Sequence, residues 1–410
     1  MDITSPELLG FSSRRLARIK PVMQRYVDEN KFAGIITLVA RHGKVVHLEK
    51  VGYADIASAK PLDFDALFRM YSQTKPVTST AMMMLLEEGR YRLSDPLCAY
   101  VPAFKDMQVL TNSQGDTVPA KRPITIRDLF THTAGLGYGI ASTTNPLSEQ
   151  MYREHYWMPI LTNPAITLQE LFDGIARLPL VGQPGDAWIY SVSIDVLGLL
   201  VEVISGMPFS AYLKRNLFEP LGMTDTDFYA PPEKLDRLAT VYGPKTFDWP
   251  NAPTAEELAA GITPINAIMT NGSFTEPTNT PSGGGGLVSS TSDYFRFAQM
   301  VANRGTLDGE RILGRKTVEM MFANHLPDGM TIADDHANGF GLGGSVLLSP
   351  AKSQVLGSAG TWSWGGAANT EFWIDPQEDM VCLLMAQFIP GGSYPLNFDF
   401  RNLVYQALVD

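Results

Sequence analysis

The chain predicts an α/β fold: an antiparallel sheet flanked by helices, built from both chain ends, with a mostly helical region inserted between them. Three observations predict it. Two short apolar runs near the N-terminus flank a turn, strand-like runs gather beyond residue 340, and residues 90–280 read as helices and loops. The boundaries follow as a split α/β domain at 1–75 and 283–410 around an insert at 76–282, with the active site between them. A length of 410 residues suits two or three folding units.

Residues 12–30 interleave charges with Leu16, Ile19, Val22, Met23 and Tyr26, an amphipathic helix pattern. Residues 34–40 and 45–51 flank the turn Arg41-His42-Gly43-Lys44 and predict a hairpin. Met70 and Tyr71 lead into Ser72-Gln73-Thr74-Lys75, and residues 76–88 form a helical run stopped by Gly89. Thr125 with Asp128, and Thr167 with Glu170, predict two capping boxes. Residues 135–164 are a long connection carrying Tyr138, Tyr152, Tyr156 and Trp157, either a functional lid or a packed flap. Residues 194–204 regain helical period and stop at Gly206, whereas 243–280 show little periodicity. After the run Ser282-Gly283-Gly284-Gly285-Gly286, Ser292-Asp293 caps a helix to Ala302. Strand signals at 340–348, 370–374 and 380–387 follow, with a turn at Asp375-Pro376 and a closing helix at 397–408.

Composition narrows the function classes. The chain is 45% apolar and 18% charged, ordinary for a globular enzyme. Its apolar runs are too short to span a bilayer, and the N-terminus shows no secretory pattern, so a cytoplasmic protein is expected. Net charge is −11 with no basic cluster, which argues against nucleic acid and anionic membranes as partners. Cys98 and Cys382 lie far apart, and the six histidines show no metal-ligand spacing. The expected partner is a small molecule, with neither cofactor nor metal, and the oligomeric state stays open.

The chemistry centres on Ser72 and Lys75. Spacing of three residues puts both side chains on one helical face. Pro76 is tolerated there because a first turn leaves its N–H groups unpaired. A serine at that end can attack a carbonyl, and an uncharged lysine one turn on can take its proton. The alternative is a plain helix cap beside a solvated lysine. Ser349-Pro350-Ala351-Lys352 matches the same spacing but reads as a surface turn.

Ser72-Gln73-Thr74-Lys75-Pro76 is followed by 124–136 (ITIRDLFTHTAGL), Tyr190-Ser191, 283–293 (GGGGLVSSTSD) and Trp364-Gly365-Gly366. These blocks, in this order and over nearly the whole chain, resemble the penicillin-binding and class C β-lactamase-like serine hydrolases. Within them the chain is most similar to the family VIII carboxylesterases. The resemblance implies the β-lactamase-like α/β fold, with Ser72 as nucleophile, Lys75 as base and Tyr190 as proton relay. It also implies an oxyanion hole from the backbone N–H groups of Ser72 and Ala367. Gly365 and Gly366 would let the substrate approach the edge strand. Tyr138, Trp362 and Trp364 are expected at the substrate, with Trp188 as either pocket or core.

Departures from the family pattern bear on substrate. No K-[ST]-G or H-[ST]-G tripeptide is present, and Trp364 occupies the cationic position. Val192 stands where a Y-x-N motif has its asparagine. Both changes make the pocket more apolar and less receptive to an anion, which favours neutral esters. The G-x-S-x-G elbow is absent. His132 reads as a loop-holding residue rather than an acid–base group, and Asp195 as a helix residue with a structural bond. The expected function is a serine carboxylesterase acting on short-chain or aromatic esters through an acyl-Ser72 intermediate, with weak β-lactam hydrolysis as a side activity. Alternatives are an acyltransferase using the same intermediate, a β-lactamase or D-amino-acid peptidase, and a non-enzymatic scaffold.

Overall fold

An eight-stranded antiparallel sheet organises the computed structural model. Its order from edge to edge is Asn338–Phe340, Ser345–Leu347, Trp362–Gly365, Glu371–Asp375, Met380–Ala386, Gly34–Arg41, Lys44–Asp55 and Lys60–Pro61. The structure describes residues 1–140, 142–246, 252–265, 274–332 and 336–410. Strands from the two chain ends meet at the centre, where Ile36 pairs with Met385 and Leu38 with Leu383. The expected hairpin forms around residues 41–44.

Strand period two separates the sheet's faces. Ile36, Leu38, Phe372 and Leu383 belong to a core shared with the helices Thr74–Glu87, Ser193–Ser205 and Thr291–Ala302. Ile35, Val39, Trp373 and Leu384 face a second core with Met23, Phe400 and Val404. Each fully buried Leu or Phe stabilises the fold by about 1.5–3 kcal/mol. Leu129, Phe172 and Leu197 of the intervening region join the first core, so sheet and insert pack as one body of apolar side chains. A boundary after residue 75 would cut the helix Thr74–Glu87 two residues from its start.

Several elements differ from the sequence reading. The N-terminal helix divides into Ser13–Leu16 and Ile19–Asp28. The run at 340–348 is two strands, because Gly341, Gly343 and Gly344 interrupt it with a turn. The helix ending at Ala302 is capped by Ser290, which accepts from the Asp293 amide, two residues earlier than expected. The second serine–lysine match is a one-turn helix, Pro350–Ser353, with Ser349 as its cap and Lys352 exposed. Both capping boxes form as expected. Parts of the irregular stretch 243–280, namely 247–251 and 266–273, lie outside the described residues.

Two contacts place the serine segment. Leu67–Arg69 pairs antiparallel with Val288–Ser290, and the Met70 amide donates to the Leu287 carbonyl at 2.8 Å. The glycine run is thereby drawn against Ser72. Its composition follows from crowding. A Cβ on Gly284 would lie 2.2 Å from Asp195 Oδ2, and one on Gly283 would lie 2.7 Å from the Ile194 carbonyl.

Candidate active site

Ser72 lies in a tight turn, Tyr71–Gln73, that runs directly into the helix Thr74–Glu87. Tyr71 has φ +46°, a left-handed conformation unusual for a bulky residue. Lys75 is fully buried one turn on, with Nζ 3.2 Å from Ser72 Oγ. The same nitrogen donates to the Gly284 carbonyl at 2.7 Å, which aims it at the serine. Tyr190, from the segment before Ser193–Ser205, donates its phenol to Ser72 Oγ at 2.6 Å. Lys75 Nζ also lies over the Tyr190 ring, 4.6 Å from its centroid. Hydroxyl, amine and phenol therefore converge on one point, from positions 118 residues apart in the chain.

Asp195 supports this geometry from behind. Its Oδ1 accepts from Ser282 Oγ at 2.5 Å and from the Gly284 amide at 2.9 Å. Gly284 is thus gripped by its N–H while its carbonyl holds Lys75. The expected structural bond of Asp195 exists, but its connection to Lys75 was not legible, because the intermediary is a glycine backbone 89 residues away. Burial first, then the nearby Asp195 carboxylate, push the Tyr138 and Tyr156 phenols well above their ordinary range, so both stay protonated near neutrality.

Gly365 ends the strand Trp362–Gly365, and Gly366 and Ala367 follow it toward the serine. Thr370 Oγ1 donates to the Met70 carbonyl at 3.2 Å, tying this strand end to the Ser72 segment. Among the described residues, the backbone N–H groups of Ser72 and Ala367 have no hydrogen-bond partner. Unpaired backbone N–H groups are the kind of donor that receives an oxyanion. Gly366 is required by its neighbours, since a Cβ there would lie 2.3 Å from the Met70 carbonyl oxygen. Gly366→Ala is expected to destabilise the fold by about 1–3 kcal/mol and to lower turnover together with it. Urea unfolding and ester hydrolysis on the same preparation check this.

The aromatic residues divide. Trp364 is partly exposed and packs against Tyr190 at 5.8 Å and Phe340 at 5.1 Å between ring centroids. Trp188 stacks on Tyr190 at 5.9 Å and is also partly exposed. Trp362, expected at the substrate, is instead fully buried between Phe322 and Phe372, a core position. Both tryptophans share one face of the strand, but only Trp364 reaches the end beside the serine. Val192 is fully buried.

A cavity of about 430 Å³ opens beside Ser72. Its walls include Tyr138, Tyr156, Trp157, Ile160 and Leu161 from one side and Phe274 from another. The described residues of 135–164 thus form a packed wall, built of short helical turns and fastened where Trp157 Nε1 donates to the Tyr138 carbonyl at 2.8 Å. Phe228, also lining the cavity, carried no signal in the sequence. No group of three or more metal-ligating side chains occurs among the described residues.

Fold and site together define a serine hydrolase built on a β-lactamase-like scaffold. The chain belongs to the Beta-lactamase family, whose model matches residues 19–405. It is 35% identical to Protein Rv1367c of Mycobacterium tuberculosis over 381 residues, covering 89% of this chain and 88% of that protein. It is 28% identical to Esterase EstB of Burkholderia gladioli over 402 residues, covering 95% of each. Among solved structures it is similar to EstCE1, described as a hydrolase with promiscuous acyltransferase activity. That match has a TM-score of 0.78 and 28% identity and covers 96% of this chain and 99% of EstCE1.

Proposed function

We propose that this enzyme is a serine carboxylesterase in which Ser72, Lys75 and Tyr190 perform the chemistry. The observation that carries the assignment is the approach of Tyr190 and Lys75 to Ser72 Oγ, at 2.6 and 3.2 Å. In acylation, Ser72 Oγ attacks the ester carbonyl carbon and its proton passes to the Lys75–Tyr190 pair. The developing oxyanion is received by the N–H groups of Ser72 and Ala367. The carbon–oxygen bond to the alcohol then breaks, and the Tyr190 phenol supplies the departing oxygen with its proton. Water attacks the acyl-serine, gives up a proton to the same pair, and the carboxylic acid leaves with Ser72 restored.

The two sides of the serine take different halves of the substrate. The Tyr190 phenol meets Ser72 Oγ at 2.6 Å, with Trp188 and Trp364 packed against its ring. The leaving oxygen must reach that phenol, so the alcohol lies on the Tyr190 side, near Trp188 and Trp364. The acyl group then enters the cavity past Tyr138, whose size and aromatic walls suit short-chain and aromatic acyl groups alike. Gly365 and Gly366 flank the edge against which the ester passes. Ile160→Trp is expected to lower kcat/KM for p-nitrophenyl butyrate about 10-fold relative to the acetate. An unchanged ratio would remove the acyl group from that cavity.

Trp364 in place of a cation favours neutral esters over β-lactams, whose carboxylate an indole cannot pair. Ester turnover is therefore expected to exceed nitrocefin turnover, and the reverse ranking would make a β-lactamase the better reading. Acyl transfer is the second reading, supported by the description of EstCE1, since an alcohol in place of water would use the same residues. Among the described residues no single helix is long and apolar enough to cross a membrane. The free thiols Cys98 and Cys382 support the reducing cytoplasm as its compartment.

A further inference from the structure

We infer that His132 is a positioning residue for Tyr190, holding the backbone on both sides of the phenol through its carbonyl oxygen and its Nδ1. The inference rests on reading Tyr190 as the proton relay.

His132 closes the turn after the helix Ile126–Phe130 and is fully buried. Its carbonyl accepts from the Ile189 amide at 2.8 Å, the residue before Tyr190. Its ring Nδ1 accepts from the Ser191 amide at 3.3 Å, the residue after it. Ser191 Oγ stands 3.2 Å from the same nitrogen and 2.7 Å from Ser193 Oγ, at the first turn of the following helix. The ring then packs against the Tyr190 ring at 4.8 Å between centroids. One residue thus fixes the chain before, at and after the tyrosine.

The hydrogen bonds define the tautomer. A backbone N–H can only donate, so Nδ1 must be the unprotonated nitrogen and Nε2 carries the proton. Burial first, and the neighbouring Lys75 second, hold the ring's pKa well below the ordinary histidine value, so the ring stays neutral through the working range. Nε2 is buried and has no hydrogen-bond partner among the described residues. The ring therefore has one working nitrogen, and it contacts no proton in transit. The backbone adds a second requirement, because His132 has φ +56°, in the left-handed region. Asparagine tolerates that conformation, and its Oδ1 falls near the place of Nδ1. Glutamine is similar in polarity and closer in size, but its acceptor lies one bond further out, near the place of Nε2.

Two variants separate positioning from bulk. His132→Gln is expected to lower kcat for p-nitrophenyl butyrate about 10- to 100-fold with KM changed less than about twofold. His132→Asn is expected to keep kcat within about threefold of wild type despite its smaller volume. Combined with Tyr190→Phe, His132→Gln is expected to add little to the loss that Tyr190→Phe causes alone, because its effect passes through the phenol. Wild-type kcat in His132→Gln, an equal loss in His132→Asn, or full additivity with Tyr190→Phe would overturn the inference. If His132→Gln does not fold, His132→Asn decides alone. Activity near wild type supports the inference, and a variant that is folded but inactive, or unfolded, overturns it. Failure of the underlying reading is distinguishable, since it would show as wild-type kcat in Tyr190→Phe itself.

Discussion

Ser72→Ala is expected to reduce hydrolysis of p-nitrophenyl acetate and butyrate by about 10⁴-fold or more. Loss of a serine nucleophile elsewhere costs about 10⁶ in kcat, and the residue left behind reflects binding and the oxyanion donors. Here the substitution removes the oxygen that accepts from both Tyr190 and Lys75. It leaves the helix Thr74–Glu87 intact, because that helix draws its stability from buried Val77, Ala81, Met82 and Leu85. Thermal unfolding should therefore stay close to wild type while turnover vanishes. Retained turnover would contradict the assignment outright.

The second large effect is expected from Lys75→Met, which keeps a flexible unbranched stem in a helix while deleting the amine. General-base groups contribute typically 10²–10⁴ in rate, and here the base must also restore the proton in deacylation, so kcat should fall by about 10³-fold or more. The buried position favours this replacement structurally. The Gly284 carbonyl loses its partner, which costs about 1–3 kcal/mol, offset in part by the apolar methionine. A variant that unfolds less readily than expected but turns over normally would remove Lys75 from the mechanism.

The legible parts of this protein are the local ones. Ser72 and Lys75 stand one helical turn apart, so sequence spacing alone places them together. The hairpin at 34–55 and the capping boxes at Thr125 and Thr167 are likewise decided by neighbours. Tyr190 could be proposed only through the resemblance, because an aromatic before a core helix has no local signature of catalysis. Trp362 and Trp364 alternate identically in sequence, and only depth along the strand separates the fully buried core residue from the partly exposed one. Gly366 reads as freedom for a substrate, yet the atom that excludes a Cβ is the Met70 carbonyl. The supports of the site, Asp195 through Gly284 and His132 through Ser191, run through backbone groups that every residue carries. Their identity is set by tertiary distance, which composition and period do not encode.

The central claim is that Ser72 forms the covalent acyl bond. The most direct measurement is to react the protein with a fluorophosphonate and locate the adduct by peptide mass spectrometry. The expected result is a single label on Ser72, absent from Ser72→Ala. A label on any other residue, or equal labelling of Ser72→Ala, would contradict the claim.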